Sequence, residues 1–514
     1  MPSPFLAAIS IFLFAFALRF LGLDWGLPNA NQWYSFHPDE STRQIVGAVG
    51  SILGGENGWN PKFFNYPSLS IYATVFVYEI LAILGQNSSA ALGEFWPIVR
   101  DIIFAGRLFS VFTGALTASL VFLLARELGF RKGALFAGVL AALVPAHVQH
   151  SHFATVDIPA TFFCALCLFL SVKFLNTNAQ KWFWLAVFAA GLAAGTKYNM
   201  LVVLAAPLIA LWLQNAKTPH KIGVSMASIG LAFLAFLVST PYAILDFPSF
   251  WGDANGNGFY FEAFVHPKIG SGDLFTQTGN GWIYHATFNL PFAFGWILIF
   301  AALGGVVTSA KNRIWWPILA FGALCFVSLG FSQVRFMRYV LPLTPVLALL
   351  AASFVSFVLQ KSRALGAGSA VTVGAATLAG AITVLGHFLA PDPRTRAAQI
   401  LSDTPTIATI ENPWFYTPPF RPNFSGAPVE GVVTIGTDTK KLRDLGEAVL
   451  VVSEFEIREK RRLNPAPTAE FLSEVERKFP QKTEFQSEVW ALPGRNFVPH
   501  DYLYTHPKIW IYGD

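Results

Sequence analysis

At 514 residues, 54% hydrophobic and 13% charged, with a mean hydropathy of +0.49, the chain has about half the charged fraction of an average soluble protein. The apolar residues are grouped in runs of about 17 to 25, the length that crosses roughly 30 Å of hydrocarbon as helix, which excludes a wholly water-borne globule. The fold class expected is an all-α polytopic membrane domain of about 11 transmembrane helices over 1–390, followed by a small soluble α/β domain over 391–514.

The opening run, Met1 to Leu23, lacks a basic n-region and a small-residue cleavage site, so it reads as a retained first span rather than a cleaved signal peptide. Directly after it stands Ser35-Phe36-His37-Pro38-Asp39-Glu40. Paired acids beside a His near a lipid surface suit a general base or a metal site. The competing reading is structural: Pro38 starts a helix to about Leu53 whose N-terminal dipole the acids favour.

Further spans are expected near 103–126, 133–150, 158–175, 182–196, 198–215, 221–241, 291–308, 314–331, 339–359 and 366–389. The apolar stretch Tyr66 to Leu84 is ambiguous, and charge decides it. If it does not cross, alternate loops carry Arg126, Arg131, Lys132, Lys173, Lys181, Lys217, Lys221, Lys311, Arg313, Lys361 and Arg363 against the single acid Glu127. That asymmetry makes their side cytoplasmic. Tyr66 to Leu84 then lies against or dips into the outer leaflet, where Glu79 is less costly than in mid-bilayer. Two long outer segments result, 24–101 and 242–290, and the second is rich in Gly, Asn and aromatics suited to ordering over a ligand or to a mobile connector.

A second polar cluster, His147, His150, His152 and Asp157, falls at the outer end of the third span, on the same face as Asp39. His37, Glu40, His150, His152 and Asp157 are thus candidate ligands of a divalent metal, with an interfacial turn capped by Asp157 as the alternative. Cys164, Cys167 and Cys325 lie in apolar runs and read as packing residues rather than a disulfide or zinc framework. Lys197 and Tyr198, and then Arg335, Arg338 and Tyr339, link pairs of spans on the outer side. Lys and Arg there suit a phosphate at headgroup level, with snorkelling as the alternative. Among the deep positions of the spans, only His387 is ionisable.

The tail from 391 holds 15 of the 35 basic and 17 of the 30 acidic residues. Strands are predicted at Thr406 to Ile410, Val429 to Ile435, Val449 to Phe455 and Glu488 to Leu492, and helices at Arg394 to Leu401 and Thr468 to Lys478.

In order and spacing the chain resembles the GT-C superfamily, in the branch of phospholipid-carrier-dependent transferases that includes protein O-mannosyltransferases and lipid A aminoarabinose transferases. The matching elements are Phe36-His37-Pro38-Asp39-Glu40, Asn65-Tyr66-Pro67-Ser68-Leu69, Arg107-Leu108-Phe109-Ser110, Asp157-Ile158-Pro159, Gly195-Thr196-Lys197 and Arg338-Tyr339-Val340-Leu341-Pro342. The resemblance implies Asp39 as the base that deprotonates an acceptor hydroxyl, Glu40 assisting it, and Arg107, Lys197, Tyr198, Arg335, Arg338 and Tyr339 on the lipid phosphate. It implies an inverting glycosyltransferase at the outer face of a plasma or inner membrane, with an extracytoplasmic tail. Its donor would be a polyprenyl-phosphate sugar and its acceptor a protein, lipid or glycan; no nucleotide cofactor and no nucleic-acid partner are expected. Pro67-Ser68 departs from the double proline of the aminoarabinose branch, and the tail matches neither type. A lipid-linked glycan flippase or transporter is the alternative, though it predicts inverted repeats and polar groups at mid-membrane.

Overall fold

The computed structural model describes residues 3–41, 44–88, 95–215, 217–420, 429–489 and 498–513. Six helices among them are long and apolar enough to cross a membrane: Trp96–Glu127, Asp157–Thr177, Thr218–Ser239, Arg313–Gly330, Met337–Lys361 and Arg363–Ile400. A seventh arises if Gly281–Phe294 and Trp296–Ser309, bent by 111°, count as one span. The chain is a multi-pass membrane protein.

The other expected spans are shorter or broken, for identifiable reasons. Pro145 cannot donate its nitrogen to a helical ladder, and the run expected over 133–150 divides there into Ala134–Leu143 and Pro145–His150. The run over 198–215 opens as a 3-10 helix, Tyr198–Leu204, before Ala205–Leu213. Gly295, at φ +80°, makes the bend within the run expected at 291–308. Leu69–Ile83 has 15 residues, which at 1.5 Å per residue falls about 8 Å short of a 30 Å hydrocarbon core. It buries Ser70, Ile71, Thr74 and Val75 and leaves Phe76, Ile80 and Ile83 exposed, an apolar outer face.

Close packing draws the outer loops together above the bundle. At Gly106 an added Cβ would meet the Ala154 side chain at 2.7 Å, so Trp96–Glu127 passes directly beneath the turn before Asp157. Arg19, fully buried in Pro4–Phe20, donates to Ser151 Oγ at 3.1 Å and lies 3.0 Å from His147 Nδ1, tying the first helix to that turn. The two long outer segments also meet. Asp246 accepts from Asn60 (2.6 Å) and Lys62 (2.5 Å), and Asn65 bonds Glu262 and the carbonyl of Gly256. The three cysteines are free and buried in the helical core.

In the tail, β1 (Ile407–Thr409), β2 (Val432–Thr434), β3 (Val449–Ser453), β4 (Gln481–Phe485) and β5 (Ile509–Gly513) form one sheet in the order β2-β1-β3-β5-β4. β1 is parallel to β2 and β3, while β5 is antiparallel to β3 and β4. The strand predicted over Val449 to Phe455 stops at Ser453, because Ser453 and Glu456 form a capping box that starts the helix Glu454–Leu463. The strand predicted at Glu488 to Leu492 falls partly outside the described residues, and 488–489 are not in a strand. His387 is not deep in its helix: it lies two residues before the end of Arg363–Leu389, 2.9 Å from Ser487 Oγ of the tail. The helical core likewise runs into the tail, since Val498, Tyr502 and Leu503 join the apolar cluster of the spans.

Candidate active site

Pro4–Phe20 delivers the segment from Ser35 to Glu40 to the top of the bundle, where burial is nearly complete: His37 and Glu40 are each 1% exposed and Asp39 is 9% exposed. Such an acid pair needs partners, and the two acids have different ones. Arg107 donates to Glu40 through Nε (2.9 Å) and Nη2 (2.7 Å), while the backbone N–H of Ala154 (2.7 Å) and the Ser35 hydroxyl (2.5 Å) also donate to it. Those four bonds fill the lone-pair positions of a carboxylate. Arg107 spends Nη1 on the carbonyls of Leu23 (2.8 Å) and Trp25 (2.7 Å). Glu40 and Arg107 therefore clamp the first long loop to the helix Trp96–Glu127 and the turn before Asp157, with both side chains fully buried.

Asp39 belongs to a second network. Arg338 Nη2 lies 2.9 Å from Asp39 Oδ2, and Arg338 Nε lies 3.7 Å from Asp157 Oδ2. Lys197 Nζ is 2.6 Å from Asp157 Oδ1 and 4.1 Å from the centre of the Tyr339 ring. Acid, base, acid and base thus alternate across residues separated by up to 299 positions in the chain. Burial pushes the Asp39 carboxyl above its ordinary range; Arg338 opposes the rise, and Asp157, Asp501 and Glu262 add to it.

The network ends at a cavity of about 400 Å³, lined among others by Tyr66, Lys197, Tyr198, Phe259, Glu262 and Tyr339. Its walls come from both long loop segments, with Tyr66 from 24–101 and Phe259 and Glu262 from 242–290. The Tyr198 hydroxyl donates to the Phe64 carbonyl at 2.8 Å, fixing that wall. Larger cavities, of about 770 and 500 Å³ between the first long loop and the helix Pro393–Ile400, share no wall residue with the network, whereas the 400 Å³ cavity meets it at Lys197.

Arg335 turns away from the acids. It donates to Thr278 Oγ1 (2.7 Å) and the Gly279 carbonyl (2.9 Å), holding the second outer segment. The expected metal set is not assembled either: among the described residues no group of three or more His, Cys, Asp or Glu is placed to hold a metal ion. Glu40 is saturated. His152 has both ring nitrogens 2.9 Å from backbone carbonyls, of Val148 and Leu21. His37 accepts from the Asp39 backbone N–H through Nδ1 at 3.2 Å. Asp157 already faces two cations, Lys197 and Arg338, where a third positive charge would be repelled. Of the set, only His37 Nε2 and the ring nitrogens of His150 are without a hydrogen-bond partner among the described residues, and two imidazoles do not make up a divalent-cation site.

Residues 90–244 match the family model described as dolichyl-phosphate-mannose-protein mannosyltransferase. A curated relative from Aquifex aeolicus (strain VF5), described as an uncharacterized protein, is 23% identical over 251 residues, 49% of this chain and 48% of that protein. The chain therefore spans about half the length of the curated relative it matches. Among solved structures, ArnT from Cupriavidus metallidurans bound to undecaprenyl phosphate is 16% identical with a TM-score of 0.52, over 98% of this chain and 97% of that one. The Archaeoglobus fulgidus oligosaccharyltransferase in the apo form is 15% identical with a TM-score of 0.54, over 98% and 77%. The chain has the GT-C fold.

One part of the site of this GT-C chain went unread in the sequence. Asp501, fully buried, accepts from the backbone N–H groups of Met337 (3.0 Å) and Arg338 (2.8 Å), and the Tyr504 ring meets the His37 ring at 4.8 Å. The tail reads as soluble and charged, and the available signal was local: Tyr502, Tyr504 and His506 are aromatic or imidazole residues packed around a lone acid just before the last strand.

Proposed function

We propose that this chain is an inverting glycosyltransferase that moves a sugar from a polyprenyl-phosphate carrier to an acceptor hydroxyl at the extracytoplasmic face. The observation that carries the reading is the chain Asp39, Arg338, Asp157, Lys197, ending at a cavity between the outer loops. The fold, the family model and the loop charges support it. So do two neighbours: ArnT bound to undecaprenyl phosphate, and the archaeal oligosaccharyltransferase in complex with an inhibitory peptide and a dolichol-phosphate.

The network holds two carboxylates and two cations, with Glu262 a further acid on the cavity wall. A donor phosphodiester brings one negative charge and finds Lys197 and Arg338, with Tyr198 and Tyr339 on the same wall. Asp39 takes the proton of the acceptor hydroxyl; that oxygen forms the new bond to the anomeric carbon as the bond from that carbon to the phosphate oxygen breaks. The electron pair leaves with the polyprenyl phosphate, whose added negative charge faces the same two cations while Asp39 becomes neutral. Total charge in the site stays constant through the step, and the groups are pre-placed for it. Glu40 acts through its clamp, which sets the backbone on which Asp39 stands. The concentration of basic residues in alternate loops supports an extracytoplasmic position for this site and the tail. No observation favours a flippase.

The test uses the full chain in nanodiscs with a panel of polyprenyl-phosphate sugars, reading product anomeric configuration. Inverted transfer is expected, and absence of transfer from every donor overturns the reading. Lys197→Ala is expected to raise donor KM about tenfold to a hundredfold, as loss of one charge-assisted phosphate contact of about 1.5–3 kcal/mol implies. Because the donors do not fit a divalent cation, saturating chelator is expected to leave the rate unchanged, and a chelator-dependent loss restored by added metal would contradict that. Comparing surface glycans of cells with and without the gene by mass spectrometry identifies sugar and acceptor.

A further inference from the structure

We infer that Asp501, in the C-terminal segment, is a positioning residue of the active site: it holds the backbone at Arg338 so that the guanidinium reaches Asp39 and Asp157. This deepens the proposed transferase reading and rests on it.

The segment His500–Thr505 is a single 3-10 turn at the end of the tail, yet it sits within the membrane domain. Tyr502 and Leu503 pack in the same apolar cluster as the spans, and the Gln149 side-chain amide donates to the carbonyls of Asp501 and Tyr502 at 3.2 Å each. Gln149 lies in the helix just before the Asp157 turn. The tail is thus fastened to the element that carries the second acid of the site.

What Asp501 does with that position is specific. Met337 and Arg338 are the first two residues of a 3-10 turn, Met337–Leu343, that runs on into the helix Thr344–Lys361. Backbone N–H groups at such a start have no partner within the helix. Asp501 satisfies both, one with each carboxylate oxygen, at 3.0 and 2.8 Å. His150 Nε2 stands 3.8 Å from Asp501 Oδ2. The residue so held is the one whose side chain bridges Asp39 at 2.9 Å and Asp157 at 3.7 Å. A small displacement of that backbone breaks the shorter contact, and misplacement by about 1 Å can cost on the order of 10²-fold in rate. A carboxylate this deeply buried, spent on two amides beside the only Arg that touches both acids among the described residues, is costly unless those amides must be fixed.

Asp501→Asn keeps the shape but offers one oxygen and one NH2 group, so at least one amide loses its acceptor. In the full chain in nanodiscs, assayed with a polyprenyl-phosphate sugar, it is expected to lower kcat about 10-fold to 100-fold with donor KM changed less than about threefold. In an Arg338→Lys background, where the planar fork is already gone, the same change is expected to cost less than about twofold. Equal losses in both backgrounds, or no loss in either, overturn the proposal. Hydrogen exchange at the Met337 and Arg338 amides decides the position without activity: faster exchange in Asp501→Asn supports the cap, and unchanged exchange overturns it. A wild-type chain that transfers no sugar refutes the proposed reaction instead, and the exchange result still stands on its own.

Discussion

Asp39→Asn is expected to reduce kcat by about 10²–10⁴, the contribution of a well-placed general base, while leaving the protein folded. The amide is the same size, and the Asp39 side chain already sits where ionisation is unfavourable, since burial outweighs the help from Arg338. Replacing a carboxylate in that setting removes a charge the fold holds at a cost, so the melting temperature is expected not to fall. Donor binding is expected to survive, because Lys197 and Arg338 remain. Rate and melting temperature measured on one preparation check this: retention of more than about a tenth of the rate would exclude Asp39 as the base.

The same burial sets the pH dependence. Asp39 works only when ionised, so the rate rises as pH rises through its pKa. Since burial lifts that value above the ordinary carboxylate's, about 3.9, the acidic limb of kcat/KM is expected at higher pH than for an exposed Asp. For stability the sign is opposite: a carboxyl raised in the folded chain adds stability that is full below the unfolded pKa and lost as pH rises through the folded one. Arg338 pulls the Asp39 value down. Arg338→Gln is therefore expected to shift the acidic limb further up, and an unchanged limb would show that the two groups are not coupled.

The lengths of the apolar runs made the long spans legible, because lipid forces long apolar helices. Interruptions inside those runs were harder to see. Pro145 and Gly295 were visible as residues, but tertiary packing decides whether such a residue kinks a span or divides it. Within the site, Asp39, Asp157, Lys197 and Arg338 were all visible as polar residues at the ends of apolar runs, and the structure does assemble them. Glu40 and Arg107 looked like the same class of residue but pair with each other, since sequence cannot say which of two adjacent acids meets Arg338 and which meets Arg107. The His-rich turn misled similarly: a metal and a carbonyl attract the same imidazole nitrogens, and His152 is held by carbonyls. Asp501 escaped because its role is defined by backbone amides 163 and 164 residues away, which leave no mark in local sequence.

The clamp formed by Glu40 and Arg107 is expected to matter strongly for folding. Both side chains are entirely buried, 2.7 Å apart at their nearest. Removing one member of such a pair strands the other charge, at a cost of about 3–5 kcal/mol. Glu40→Gln leaves Arg107 with neutral partners alone, the carbonyls of Leu23 and Trp25 and the Ser35 hydroxyl, and Arg107→Met leaves Glu40 with the Ala154 amide and the Ser35 hydroxyl. Each single substitution should lower the melting temperature and the folded yield sharply. The double substitution Glu40→Gln with Arg107→Met should recover part of that loss, because no charge is left stranded, though the loop anchors to Leu23 and Trp25 stay broken. Measured as a double-mutant cycle on unfolding, the coupling is expected to exceed about 2 kcal/mol, toward the upper end for residues in direct contact. Additive losses would mean that the two residues do not act as one clamp. Activity adds a second discrimination: with Glu40 in a supporting role, molecules of the double variant that do fold should retain measurable transfer, whereas a Glu40 that touched the reacting atoms would leave none.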